Sequence, residues 1–219
     1  MITHYEINTA GHDYAVGDIH GCFTALQVEL DRIKFDPKVD RLFSVGDLVD
    51  RGPECEMVLD WLAYPWFHPV RGNHDDYVCR QDSCQIGNWL QNGGAWFMGL
   101  SSYDQLEYQA QFQCLPLAQD IETASGLVGM VHADPCVSDW AKLPEFMSNR
   151  NGRNSLMWSR KRMESDDQSN VDGVKAVIVG HTPTPSGPIK LGNVWHIDTA
   201  GWHHSGHFTI INLDTLLIV

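Results

Sequence analysis

The sequence predicts an α/β fold, a mixed sheet or two-sheet β-sandwich flanked by helices. Three observations lead there. Short apolar β runs alternate with amphipathic helical stretches through the first half. Three of those runs end in glycine-bounded polar loops, Gly17–Gly21, Gly46–Gly52 and Arg71–Asp75, spaced roughly as strand–helix–strand units are. Four more β runs crowd the second half.

Taken in order, Asp13–Val16 is a short strand and Gly17–Gly21 its exit loop. Phe23, Leu26, Leu30 and Ile33 then recur close to a helical period, so 23–33 is read as an amphipathic helix. Arg41–Val45 is the next strand, and the loop after it runs to Gly52. Pro53 suits a helix start, with Met57, Val58, Trp61 and Leu62 at helical spacing behind it. Phe67–Val70 leads into the third loop. From about 80 to 118 the pattern turns helical, carrying Trp89, Trp96, Phe97, Tyr108 and Phe112 as core candidates. Leu127–Val131, Ala176–Val179, Val194–Ile197 and Phe208–Ile211 are the late strands, read as partly antiparallel. Asp166–Gly173 is an exposed loop, and no linker divides the chain, so one domain over 1–219 is expected. In such folds the ligand site lies at the carboxyl ends of the strands, where the three loops fall.

Composition bounds the chemistry. The chain has 219 residues, 43% hydrophobic and 20% charged, ordinary for a globular protein. A formal net charge of −13 opposes nucleic-acid or anionic-membrane binding. A phosphorylated substrate stays open, because metal ions and a few arginines reverse the sign locally. No apolar run approaches the roughly 18–20 residues of a membrane span, and no basic-then-apolar leader is visible. Cys22, Cys55, Cys79, Cys84, Cys114 and Cys136 form no CxxC pair, so reduced thiols in a cytoplasmic protein are expected.

Two later runs resemble the three loops. His132 and His181 each follow an apolar strand, in Gly129–Asp134 and Val177–Pro183. Asp18 and His20, two apart, would share one side of an extended segment. Asp18, His20, Asp47, Asn73, His132 and His181 are therefore candidate metal ligands, an O/N set without thiolate that suits Mn, Fe or Zn. Asp47, in the central loop, is the candidate bridge between two ions.

These residues spell GDIHG, GDLVDRG and GNHD, followed by two strand-end histidines. That series resembles the metallophosphoesterase superfamily and its phosphoprotein phosphatase branch. Asn92–Phe97 and Trp158-Ser159-Arg160 further resemble the lambda-phage-type bacterial serine/threonine phosphatases. The resemblance implies a calcineurin-like fold and two divalent ions, Mn in vitro with Fe or Zn tolerated. It gives Asp18, His20 and Asp47 to the first ion and Asp47, Asn73, His132 and His181 to the second. It implies in-line attack by a hydroxide shared between them, His74 as general acid, Asp50 orienting it, and Arg51 and Arg160 gripping the phosphoryl group. Phosphorylated proteins are the implied substrates, on serine or threonine with tyrosine left open, and a monomer is expected. Two departures stand out: Asp75 replaces a more usual Glu, and Asp198-Thr199-Ala200-Gly201 exchanges the small residues of the family's Asp-Thr-Gly turn.

Three other functions compete. A dinucleoside polyphosphate hydrolase shares the loops, but its second motif typically reads GDLVARG, without the carboxylate of Asp50. A nuclease of the same superfamily is opposed by the acidic balance. A binding module that lost catalysis would be expected to lack a ligand or the acid, and none is missing. Arg71 divides evenly between phosphate grip and loop brace. Cys22, His196, His203, His204 and His207 are read as packing or surface residues.

Overall fold

The structure is a computed structural model that describes residues 2–80 and 86–219; Cys84 lies outside the described residues. The strands are β1 (Ile2–Tyr5), β2 (Asp13–Val16), β3 (Arg41–Ser44), β4 (Phe67–Pro69), β5 (Ala118–Thr123), β6 (Gly126–Val131), β7 (Ala176–Val179), β8 (Ile189–Leu191), β9 (Val194–His196), β10 (Ile210–Asn212) and β11 (Leu217–Ile218). They form two sheets, ordered β1-β5-β6-β7-β9-β8 and β11-β10-β2-β3-β4. Both are mixed, as expected. The late strands are partly antiparallel, as expected, with β6, β7 and β9 pairing in parallel. Antiparallel pairing belongs to β5–β6, β8–β9, β10–β2 and β10–β11.

Strand alternation explains why these runs are apolar throughout. On β2, Ala15 faces the other sheet while Tyr14 and Val16 face helices; on β3, Phe43 faces inward and Leu42 outward. Ile121, Met130 and Ile178 meet Ala15 and Phe43 from the opposite sheet, filling the sandwich. Val131, Val177 and Val179 face the other helical layer. Both faces are covered, so a two-residue polar alternation has no place in the central strands.

The helices are α1 (Phe23–Arg32), α2 (Val58–Leu62), α3 (Asn73–Arg80), α4 (Ile86–Gln91), α5 (Ala95–Met98), α6 (Ser102–Cys114), α7 (Leu143–Phe146), α8 (Arg150–Trp158) and α9 (Lys161–Ser165). Helix α1 buries Phe23, Leu26 and Leu30, the periodic positions of the sequence. Pro53 does not open a helix; it sits in a turn, followed by a 3-10 turn over Cys55–Met57 that leads into α2. The strand expected over Phe208–Ile211 is displaced to Ile210–Asn212, because its register is set by pairing Ile210 with Val16 and Asn212 with Tyr14.

This architecture collects loops. The carboxyl ends of β2, β3 and β4 in one sheet and of β6, β7 and β9 in the other all carry candidate residues within a few positions. A site assembled there rests on both sheets.

Candidate active site

Several of the candidate residues have left-handed backbone: His20 at φ 47°, Asp47 at 50°, Asp50 at 72°, Arg51 at 68° and His181 at 69°. Asp18 and His20 therefore do not lie on an extended segment; the chain turns at His20 instead. Non-glycine residues rarely adopt this conformation, and it persists where surrounding contacts impose it. Here the contacts are loop-to-loop. The N–H groups of Ile19 and His20 donate to the Asp47 carbonyl, at 3.1 and 2.8 Å, and Gly52 N donates to the His20 carbonyl at 3.0 Å. Asp75, the first departure, is buried and accepts from Gly72, Asp47 and Leu48 N–H at 2.8–2.9 Å, clamping the second loop to the third. The glycines are steric necessities: a Cβ on Gly72 would collide with Asp47 Oδ1, and one on Gly180 with Asp18 Oδ1.

The six candidate ligands converge at these ends, all buried. His20 Nδ1 and His132 Nδ1 each meet a backbone carbonyl, Val49 O at 2.8 Å and Val45 O at 2.7 Å. A carbonyl only accepts, so these nitrogens carry protons and the Nε2 atoms face the cluster, where that of His20 accepts from Arg51 Nη1 at 2.8 Å. His20 Nε2 lies 3.6 Å from Asp47 Oδ2 and 3.9 Å from Asp18 Oδ2; His132 Nε2 lies 3.4 Å from Asp47 Oδ1. Those separations are long for direct hydrogen bonds and suit donors spaced around a cation with bonds of about 2.0–2.2 Å. Asn73 Oδ1 sits between His132 Nε2, at 3.0 Å, and His181 Nδ1, at 2.8 Å. Ligand atoms of Asp47, His132 and His181 lie within 4.8 Å of one another, as do those of His20, Asp47 and His74.

The electrostatics fit the same group. Burial, then the neighbouring Asp198 carboxylate, hold Asp18 well above the usual carboxylate range. Burial would raise Asp47 too, but His132, His74 and His20 outweigh it and pull it well below that range. His132 is lifted to about 10 because Asp47 and Asp18 overcome its own burial. His181 is pushed down to about 3 by burial and by His132. Asp198, at the end of β9, is raised to about 6 by burial, and its Oδ2 has no hydrogen-bond partner among the described residues. Crowded carboxylates, inward-facing imidazole nitrogens and an orphaned buried oxygen are what a bound cation would satisfy.

Beside this cluster, His74 Nδ1 lies 2.7 Å from Asp50 Oδ2. Asp50 also accepts from the indole N–H of Trp89 and of Trp96, each at 2.8 Å. The two tryptophans looked like core in the sequence; the structure gives them a second task that helical spacing could not reveal. His74 Nε2 faces the groove, 3.2 Å from Arg51 Nη2. Trp202, not singled out by any motif, lies under the Arg51 guanidinium at 4.2 Å from its ring centroid. Arg160 reaches the opposite wall, its Nε 3.2 Å from His181 Nε2. It is presented by a turn that Asp134 holds through Arg162 N–H at 3.1 Å. Asp47, Arg51, His74, Arg160 and His181 line a groove of about 70 Å³.

The other sequence candidates fall outside. Arg71 is a brace, donating to the Gln113 and Leu115 carbonyls and pairing with Asp76. Burial raises the Cys22 thiol, which opposes reactivity. His203 pairs with Ser205 on the surface.

This fold and site define a metallophosphoesterase. The calcineurin-like phosphoesterase profile matches residues 14–206, and the chain belongs to that family, whose chemistry uses divalent metal ions. It is a phosphoric ester hydrolase, and its phosphoprotein phosphatase relatives span most of its length. It is 34% identical over 209 residues to serine/threonine-protein phosphatase 1 of Salmonella typhimurium, covering 93% of this chain and 92% of the relative. Serine/threonine-protein phosphatase 2 of Escherichia coli is 34% identical over 177 residues, 78% of this chain and 79% of the relative. A symmetrical bis(5'-nucleosyl)-tetraphosphatase of Pseudomonas putida is 55% identical, but over 65 residues, 28% of this chain and 22% of that protein. Among solved structures, a putative diadenosine tetraphosphatase superposes with TM-score 0.69 at 18% identity, covering 100% of this chain and 96% of its own. A serine/threonine phosphatase from Saccharomyces cerevisiae gives 0.58 at 17% identity, covering 89% and 70%. Those two likenesses speak for the fold. Among the described residues no helix is long and apolar enough to cross a membrane.

Proposed function

We propose that the chain is a divalent-metal-dependent serine/threonine protein phosphatase. The observation that carries this reading is the buried Asp50–His74 pair facing the groove. A serine alkoxide is a poor leaving group and needs a proton as it departs; a nucleoside polyphosphate does not. His74 Nε2 would deliver that proton, while Asp50 fixes the orientation of the ring. Arg51 and Arg160 would bind the phosphoryl oxygens as planar forks. Trp202 keeps Arg51 from straying by a cation–π contact.

Asp18, His20 and Asp47 would hold one ion, and Asp47, Asn73, His132 and His181 a second, with Mn, Fe or Zn all compatible with the donor set. When bound, such ions supply Lewis acidity and a water activated near neutral pH. The lengthwise similarity to the bacterial serine/threonine phosphatases supports the substrate class.

A second reading is hydrolysis of dinucleoside polyphosphates, favoured by the short 55% identity stretch. The two separate in one assay. Mn²⁺-loaded protein is offered phosphoserine and phosphothreonine peptides beside diadenosine tetraphosphate. The proposed function predicts faster turnover of the peptides; far faster cleavage of the dinucleotide would replace it with the second reading.

A further inference from the structure

Adjoining the catalytic groove, and sharing Asn73, Tyr77, Asn88 and Trp158 with it, is a larger cavity of about 320 Å³. Its floor is aromatic: Tyr77 stacks on Trp89 at 5.8 Å and meets Trp158 edge-on at 5.6 Å. Its far wall is basic, formed by Arg80 at the end of α3 and Arg150 in the first turn of α8.

The balance of charge there differs from the rest of the molecule. Buried Asp76 pairs with Arg80 and, at 3.4 Å, with Arg71, and it also lies within the field of Arg150. Among the described residues lining the cavity, one carboxylate, Asp76, stands with two guanidinium groups, Arg80 and Arg150, an excess of positive charge on a chain whose formal net charge is −13. Helix stability does not explain Arg150, since a cation in a first turn opposes the helix dipole. Asn149 already caps that helix through Gly152 N–H, at 3.0 Å. Arg150 is exposed, and Arg80 is held toward the cavity by Asn154 Oδ1 at 2.6 Å.

We propose that this cavity is a specificity subsite taking an Asp or Glu side chain next to the phosphorylated residue, so that the enzyme prefers acidic phosphopeptides. The proposal rests on the phosphoprotein reading above. Neighbouring Cα atoms are about 3.8 Å apart, so a residue flanking the phosphoserine reaches across the shared Asn73–Tyr77 wall. The carboxylate would meet Arg150 and Arg80 while its methylenes cover Trp158. The sign of the effect is diagnostic: the net charge of the whole chain would favour basic peptides.

The test compares three phosphoserine peptides, flanked by Asp, Ala or Lys, on the Mn²⁺-loaded enzyme and on Arg150→Ala. Binding is read separately by fluorescence anisotropy of the same peptides carrying a non-hydrolysable phosphonate. The subsite predicts roughly tenfold higher kcat/KM and tighter binding for the Asp peptide than for the Ala peptide, with Lys lowest, at low salt. In Arg150→Ala the Asp-to-Ala ratio should fall toward one, and Arg150→Lys should recover part of it. Equal rates for the three peptides, a Lys preference, or an Asp preference that survives Arg150→Ala would overturn the subsite while leaving phosphopeptide hydrolysis intact. Failure to hydrolyse any peptide, with p-nitrophenyl phosphate still cleaved, would overturn the phosphoprotein reading and the subsite with it.

Discussion

Asp50 accepts three side-chain N–H bonds, from His74, Trp89 and Trp96, and is completely buried. Each donor removes one way for the carboxylate to turn, so the imidazole it holds is fixed in the groove. Trp96→Phe and Trp89→Phe keep most of the apolar volume and delete one bond each. Either should lower kcat on phosphoserine peptides roughly tenfold, the usual cost of loosening a supporting residue. His74→Asn should cost roughly 10²-fold or more on the same peptides. On p-nitrophenyl phosphate, whose leaving group departs without a proton, all three losses should be small. Equal losses on both substrates would argue against His74 as the acid. Asp50 and His74 were legible in the sequence because each sits inside a short glycine-bounded motif. Their indole partners were not. They lie 39 and 46 residues from Asp50, and a tryptophan at helical spacing reads as core until its N–H is seen to point somewhere.

The strand-end loop is the element that decides this site. It trades backbone comfort for direction: each non-glycine left-handed residue costs about 1–2 kcal/mol. The cross-loop hydrogen bonds and the Asp75 clamp hold it there. Asp75→Ala strands three N–H groups in a buried place and should lower stability by about 2–4 kcal/mol. Urea unfolding checks this, and Mn²⁺-dependent activity should fall with it; an unchanged midpoint would remove Asp75 from the clamp. Gly72→Ala should abolish Mn²⁺-dependent activity, because its methyl would displace the Asp47 carboxylate. The strands bearing the loops were legible from apolar runs ended by glycine. Strands β1 and β5 were not, since ITHY and AQDIET carry mixed polarity and take their structure from pairing, β1 with β5 and β5 also with β6. Strand direction was equally hidden: nothing local tells Ala176–Val179 that its neighbours run parallel.

At the scale of the whole molecule, two sheets close over buried titratable groups, and stability therefore depends on pH. His68 packs on Tyr5 and Phe43, and burial with nearby Arg41 pushes its imidazole down to about 4. His196 is driven to about 4 by burial. The unfolded chain binds protons on these histidines near pH 6.5, so stability is lost as pH falls from about 6.5 toward 4. Asp75, raised to about 7 chiefly by burial, acts in the opposite sense, losing stability as pH rises toward neutrality. The clean readout is thus a difference: His68→Gln should show a flatter fall in urea midpoint than the unmodified protein across pH 6.5 to 4. Parallel curves would mean that His68 is not held neutral. The candidate ligands come from both sheets, so Mn²⁺ bound by them should raise the thermal midpoint and EDTA should reverse it. The most direct measurement is anomalous diffraction from Mn²⁺-loaded crystals. Two peaks are expected about 3.5–4 Å apart, one against Asp18, His20 and Asp47, the other against Asp47, Asn73, His132 and His181. A single peak, or manganese bound only at the surface histidines 203–207, would contradict the two-ion site.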